Sequence, residues 1–200
     1  MTFDRAELTP VIASSDDAAR LEHAASAEFQ FIWRSLRRLG VGPNHAVDDA
    51  AQRVFEIAAR KRALIRAGCE RAFFLKTAIF VAKETRLAAR REYARFEHDD
   101  AVEKMRDPAP GPEWATEQRR FRERLDQLLD GLPFEFRVVF VLFELEELSS
   151  LEIATLLGVP TGTVASRLRR ARELFQSAAR SLANQGESSA SQLKRSGGVR

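Results

Sequence analysis

The sequence predicts an all-α protein: two small helical domains joined by a flexible linker, the C-terminal one containing a helix-turn-helix. Three observations predict it. Apolar residues recur at spacings of three and four over several separate stretches, and no strand-like alternation stands out. PAPGP at 108–112 divides these stretches into two groups, because proline disfavours helix through itself and the residue before it. The segment 148–176, LSSLEIATLLGVPTGTVASRLRRARELFQ, then sets a short helix, a glycine turn and an arginine-loaded helix in succession.

Residues 1–20 read as an N-terminal arm, with SSDD at 14–17 as a capping cluster for the first helix. The first domain spans 21–95. Its first helix carries Leu21, Ala25, Phe29, Ile32, Trp33, Leu36 and Leu39 at helical spacing, and Gly40, Gly42, Pro43 and Asn44 end it. A second helix is predicted over 46–61, with Val47, Ala50, Ala51, Val54, Phe55 and Ala58 inward. Asp48 and Asp49 fall in its first turn, where the helix dipole favours negative charge. A basic connection, KRALIRAGCER, leads to a third helix over 72–93. Phe74, Leu75, Ala78, Ile79 and Ala82 form its apolar side, and its far end is basic.

Residues 96–118, acidic at first and then rich in proline, read as the linker. The second domain spans 119–182. Leu125, Leu128, Leu129 and Leu132 mark one helix, stopped near 131–133, and Phe136, Val139, Phe140 and Phe143 mark the next. Helices over 150–157 and 161–176 close the domain around Gly158 and Pro160. Residues 183–200, rich in Ser, Gly, Gln and Lys, read as a disordered tail.

Composition narrows the function classes. The 200 residues carry a formal net charge of +3, compatible with a nucleic-acid partner. Cys69 is the one cysteine, so no intrachain disulfide forms. His23, His45 and His98 lack the paired spacing of a metal site, and no G-x-x-x-x-G-K-[ST] phosphate loop occurs. The expectation is a non-enzyme without metal or cofactor. No apolar run is long enough to insert in a membrane, and the N-terminus lacks the order of a secretion signal, so a cytoplasmic location is expected.

Three segments carry candidate function, each beside a plainer reading. The last helix of the helix-turn-helix places Arg167, Arg169, Arg170 and Arg172 within six positions, a density that favours DNA binding over the plainer reading of a solvated charged face on a structural helix. Arginine can grip guanine bidentately or pair with phosphate. Ser166, Arg169 and Arg170 are the base-contact candidates, Arg167 and Arg172 the phosphate candidates, with Thr163 one turn before. Leu168, Ala171, Leu174 and Phe175 should face the core. The second helix sets Asp49, Gln52, Arg53 and Glu56 on a polar face, which on pattern alone is a solvated surface. The third helix mixes Phe73, Phe74, Phe80 and Tyr93 with Lys76, Lys83, Arg86, Arg90 and Arg91, as single-stranded DNA binders do and as a core helix with a soluble face also does.

The chain resembles the extracytoplasmic-function (ECF) group of bacterial RNA polymerase sigma factors. FIWRSLRRLGV with DDAAQRVFEIAARK, then RAFFLKTAIFVAKETRLAARRE, look like the family's polymerase-binding and promoter-melting domain. LDGLPFEFRVVFVLFELEELSSLEIATLLGVPTGTVASRLRRARELF is similar to its −35-reading domain. The resemblance implies an alternative sigma factor whose partners are core RNA polymerase, promoter DNA and an anti-sigma factor. It implies polymerase contacts from Asp48, Asp49, Gln52, Arg53, Phe55 and Glu56, of which Asp49, Gln52 and Phe55 fit the family's D-x-x-Q-x-x-F pattern. It implies −10 contacts from Lys76, Thr77, Val81, Lys83, Arg86, Arg90 and Arg91, and −35 contacts from Thr163, Ser166, Arg167, Arg169, Arg170 and Arg172. The sequence departs from the family at Phe74, commonly tryptophan, at Val81, commonly asparagine, and at Ala165, often basic. The competing reading is a stand-alone helix-turn-helix regulator with an N-terminal dimerisation or sensing domain, which should bind duplex DNA tightly by itself.

Overall fold

The computed structural model describes residues 15–96 and 113–196, and every regular element among them is helical. The all-α expectation holds there. Helix α1 spans Ser15–Arg38, α2 Asn44–Arg60 and α3 Glu70–Phe96, with a 3-10 turn at Arg62–Leu64 between the last two. In the second unit α4 spans Glu113–Asp130, α5 Phe134–Phe140, α6 Ser150–Leu157 and α7 Thr161–Ser196.

Helix α1 has Asp16 and Asp17 in its first turn and Arg37 and Arg38 in its last, so both ends complement the dipole. It turns Leu21, Phe31, Ile32, Leu36 and Leu39 into a core shared with Val47, Ala50, Ala51, Val54 and Ala58 of α2 and Phe74, Leu75, Ala78, Val81 and Ala82 of α3. Small residues on α2 let the three helices approach closely. Phe55, half-buried, meets Phe74 edge-on with ring centroids 5.1 Å apart. Arg20 of α1 is paired with Glu70 at the start of α3 and also donates to the Ile65 carbonyl, which ties the 3-10 connection down.

The second core gathers Leu129, Leu132, Val138, Val139, Val141, Leu142, Ile153, Ala154, Val164, Leu168 and Ala171. Phe140 stacks on Phe175 at 4.7 Å. The face expected for α5 was Phe136, Val139, Phe140 and Phe143. Phe136 and Phe143 instead lie half-buried, while Val138, Val141 and Leu142 are buried. Beyond Phe140 the helix takes a π turn at Val141–Leu145, where the Glu146 N–H donates to the Val141 carbonyl, five residues back. A π turn rotates every later side chain off the 3.6-residue period.

The helix-turn-helix forms where expected. Ser149 caps α6 reciprocally with Glu152: each side chain reaches the other's backbone N–H. Gly158 closes α6 in the left-handed region at φ 68°, and α7 starts directly after Pro160. Ser149→Ala should cost about 1 kcal/mol, the usual worth of such a cap, read by urea unfolding. The Glu152 carboxyl is held below the usual range, chiefly by its hydrogen bond to Ser149. A depressed carboxylate stabilises the fold above its unfolded pKa and loses that effect as pH falls through the folded value, so the substitution should also flatten acid sensitivity below the usual glutamate range.

Several boundaries are corrected. Helix α1 begins at Ser15, inside the expected arm, with Asp16 and Asp17 favoured in its first turn by the helix dipole before the first large apolar side chain. Helix α2 begins two residues early, so Asp48 and Asp49 sit past its first turn, which carries no acid. The last residues of the expected linker, 113–118, belong to α4, and 97–112, with PAPGP, lie outside the described residues. The expected tail is helical as far as Ser196. Its Ala, Leu, Gln and Lys content supports a helix once α7 has nucleated it, whereas composition alone reads as tail.

The two units meet at the C-terminal end of α1. The Arg38 side chain donates to Glu146 at 2.8 Å, and Arg37 pairs with Asp126 at 3.1 Å. Arg137 of α5 is 0% exposed, and its Nε donates to the Arg38 carbonyl at 2.5 Å. Arg86 of α3 donates to the neighbouring Leu39 carbonyl at 3.2 Å. Two guanidinium groups thus satisfy carbonyls at the negative end of a helix. Gly40, at φ 93°, makes room for them: a Cβ there would collide with Arg86 Nη1 and stand 2.8 Å from Arg137 Nη1.

Candidate functional site

Helix α7 leaves the turn with Val164, Leu168 and Ala171 anchored in the core. This fixes which residues face out: Ser166, Arg169, Arg170 and Arg172 are exposed, and Thr163 and Arg167 are half-buried. The Ser166 hydroxyl donates to the Thr163 carbonyl at 3.0 Å, and its oxygen remains able to accept. Arg169 and Arg170 each place Nη1 2.9 Å from a different oxygen of Glu173. Arg172 leans the other way, onto Glu144 at 2.6 Å and over the Phe143 ring at 5.3 Å. The site therefore divides into an outward pair, Arg169 and Arg170, and an arginine that ties α7 to the π turn. Glu173 and Glu144 were not among the sequence candidates. The signal for Glu173 was present, since it follows Arg170 by three and Arg169 by four; that for Glu144 is a contact across 28 residues.

The outer face of α2 brings together Asp49, Gln52, Arg53 and Glu56, all exposed. Gln52 donates to Glu56 at 2.9 Å, and Glu56 lies 3.8 Å from Arg60. Asp48, also exposed, accepts from the Trp33 indole at 2.7 Å, which braces α2 against α1. Phe55 belongs more to the core, between Phe29 and Phe74, than to the polar face.

The α3 candidates separate. Lys76, Lys83, Arg90 and Arg91 are exposed. Thr77 is buried and donates its hydroxyl to the Phe73 carbonyl at 2.8 Å. Val81 is fully buried in the first core. Arg86 points into the junction, with its guanidinium 5.7 Å from the Phe134 ring centroid and its pKa lowered, first by burial and then by Arg137. Thr77 and Val81 are thus buried and Arg86 half-buried, with Thr77 and Arg86 toward opposite edges of the inner face of α3. Phe80 stands out instead, 55% exposed between Lys76 and Lys83 on the same face.

Among the described residues no group of three or more His, Cys, Asp or Glu could hold a metal, and no helix is long and apolar enough to cross a membrane.

Residues 122–175 match the family model "Sigma-70, region 4". The chain is 45% identical over 64 residues to the ECF RNA polymerase sigma factor SigE of Mycolicibacterium smegmatis, covering 32% of this chain and 25% of that protein. It is 37% identical over 71 residues to the ECF RNA polymerase sigma factor SigW of Bacillus subtilis, covering 36% and 38%. The alignments thus span well under half the length of these relatives. Among solved structures, CnrH in complex with the cytosolic domain of CnrY has a TM-score of 0.59 at 22% identity, over 84% of this chain and 92% of that one. The sigma factor RpoE in complex with the anti-sigma factor NepR, from Bartonella quintana, has a TM-score of 0.60 at 17% identity, over 80% and 96%. Residues 122–175 are thus similar to sigma-70 region 4, in a chain that is similar over part of its length to ECF RNA polymerase sigma factors and alike in fold, over about four-fifths of it, to these two solved chains.

Proposed function

We propose that this chain is an alternative sigma factor that binds core RNA polymerase and directs promoter-specific transcription initiation. The observation that carries the reading is the sigma-70 region 4 match, centred on a helix-turn-helix whose second helix projects Ser166, Arg169 and Arg170. That helix enters the −35 major groove, with Thr163, Arg167 and Arg172 near the phosphates. The α2 face of Asp48, Asp49, Gln52, Arg53 and Glu56 docks on core polymerase. Lys76, Lys83, Arg90 and Arg91 hold the melted −10 strand, and Phe80 offers it a stacking surface. Base capture and polymerase contacts drive opening, since unstacking costs only a few kcal/mol per step. No nucleotide hydrolysis is needed, so the protein is not an enzyme, and it works in the cytoplasm with the polymerase. Its restraining partner is an anti-sigma factor; the solved RpoE likeness is a complex with one.

Run-off transcription with purified core polymerase and genomic fragments tests the reading: discrete starts sharing two upstream elements are expected. Tight sequence-specific duplex binding by the chain alone, with no stimulation of polymerase, would favour the stand-alone regulator instead. The double variant Asp49→Ala, Gln52→Ala should weaken capture of core polymerase about tenfold, as paired interface side chains do. Unchanged pull-down would mean the docking face lies elsewhere.

A further inference from the structure

We propose that Glu173 is a positioning residue for −35 recognition: it bridges Arg169 and Arg170 and presents them to the groove as one pre-ordered pair. The inference rests on the proposed promoter-reading function and deepens it.

The geometry is a fork. Glu173 Oε1 takes Arg169 Nη1 and Oε2 takes Arg170 Nη1, both at 2.9 Å. The arginine side chains remain 75% and 56% exposed, and the carboxylate 43%. Each guanidinium has five N–H donors, so one bond to Glu173 leaves the rest free to reach a base edge. The bridge is poorly suited to holding the helix together. It is exposed, where ion pairs contribute little, and its acid follows its bases, the less favourable order along a helix. What it changes is the state of the two guanidinium groups before DNA arrives. Without it, two long side chains sample many rotamers and fall readily onto any phosphate. With it, both are held in a defined place and part of their charge is offset. Hydrogen bonds from Arg170 and the charge of Arg169 hold the Glu173 carboxyl below the usual range. Phosphate pull carries no sequence information, whereas an ordered arginine facing guanine does. The consequence is selectivity at the expense of unselective attraction.

The test uses the full chain assembled with core polymerase. The probes are a promoter duplex defined by run-off transcription and the same duplex with each −35 base pair replaced in turn. For Glu173→Gln, discrimination at the one or two positions read by Arg169 and Arg170 should fall roughly tenfold, within the range one bidentate contact supplies. Affinity for the substituted duplexes should rise, with the salt dependence steeper by about one unit in the log–log slope. Glu173→Asp keeps the charge but is one methylene short of bridging both bases, so it should retain the wild-type slope and still lose discrimination. Wild-type discrimination in either variant overturns the proposal. Arg170→Ala separates this from failure of the underlying reading: if that variant also leaves promoter binding unchanged, the −35 assignment itself is wrong. Unfolding of both Glu173 variants should match wild type, which excludes a merely structural loss.

Discussion

Arg170→Glu is expected to silence transcription from −35-dependent promoters while binding to core polymerase stays at the wild-type level. Three effects add in the same direction. The bidentate arginine–base contact proposed for Arg170, worth about 1–3 kcal/mol, disappears. A carboxylate then faces the phosphates, reversing an attraction that dominates affinity for duplex DNA. Glu173, which now accepts from Arg170, acquires a like charge three residues away, and the two acids repel. Together these should lower promoter-specific output by roughly a hundredfold or more. The fold should not suffer, because Arg170 is exposed and the core contacts of α7 run through Val164, Leu168 and Ala171. Polymerase capture is the control, since the docking face proposed on α2 lies in the other unit. Normal run-off transcription by Arg170→Glu would refute the recognition-helix assignment.

Legible and illegible features of the sequence fall on either side of one physical divide. Local signals were legible. The left-handed Gly158 and Pro160 end α6 where expected, because turns depend on a few neighbouring side chains. The inward stripe Leu168, Ala171, Leu174, Phe175 follows from helical period alone, and these residues are buried or half-buried as expected. The π turn at Val141–Leu145 was not legible, because it changes the period on which the reading depends. On α3 the family resemblance named a row of residues without regard to which side each faces, so the expected −10 set includes Val81 and Thr77, which are buried, beside the exposed Lys76, Lys83, Arg90 and Arg91. Nothing in the sequence pointed to Arg137: an arginine among Val138, Val139 and Phe140 reads as the polar edge of an apolar helix. Its burial depends on the end of α1, ninety-nine residues away.

Arg137→Ala should be the most destabilising single substitution at the junction, costing about 3–5 kcal/mol in urea unfolding. Truncation removes the donor to the Arg38 carbonyl and the partner of Asp130, and leaves a void the length of the side chain. Arg137→Met should cost much less, below about 1.5 kcal/mol, and comparing the two separates volume from charge. The guanidinium is poorly compensated. Nη2 is buried without a hydrogen-bond partner, and Asp130, 2.6 Å from Nη1, is itself 65% exposed. Arg86 adds a second positive charge nearby, and its own pKa is lowered in part by Arg137. Burial likewise lowers the pKa of Arg137. A base whose folded pKa is depressed holds its proton less tightly folded than unfolded, so its charge opposes folding throughout the neutral range. Methionine fills most of the same space with nothing to desolvate, and its loss is confined to the Arg38 carbonyl bond and the Asp130 pairing. Equal losses in the two variants would show that those two hydrogen bonds, to the end of α1 and to Asp130 of α4, rather than the packed stem, hold α5 in place.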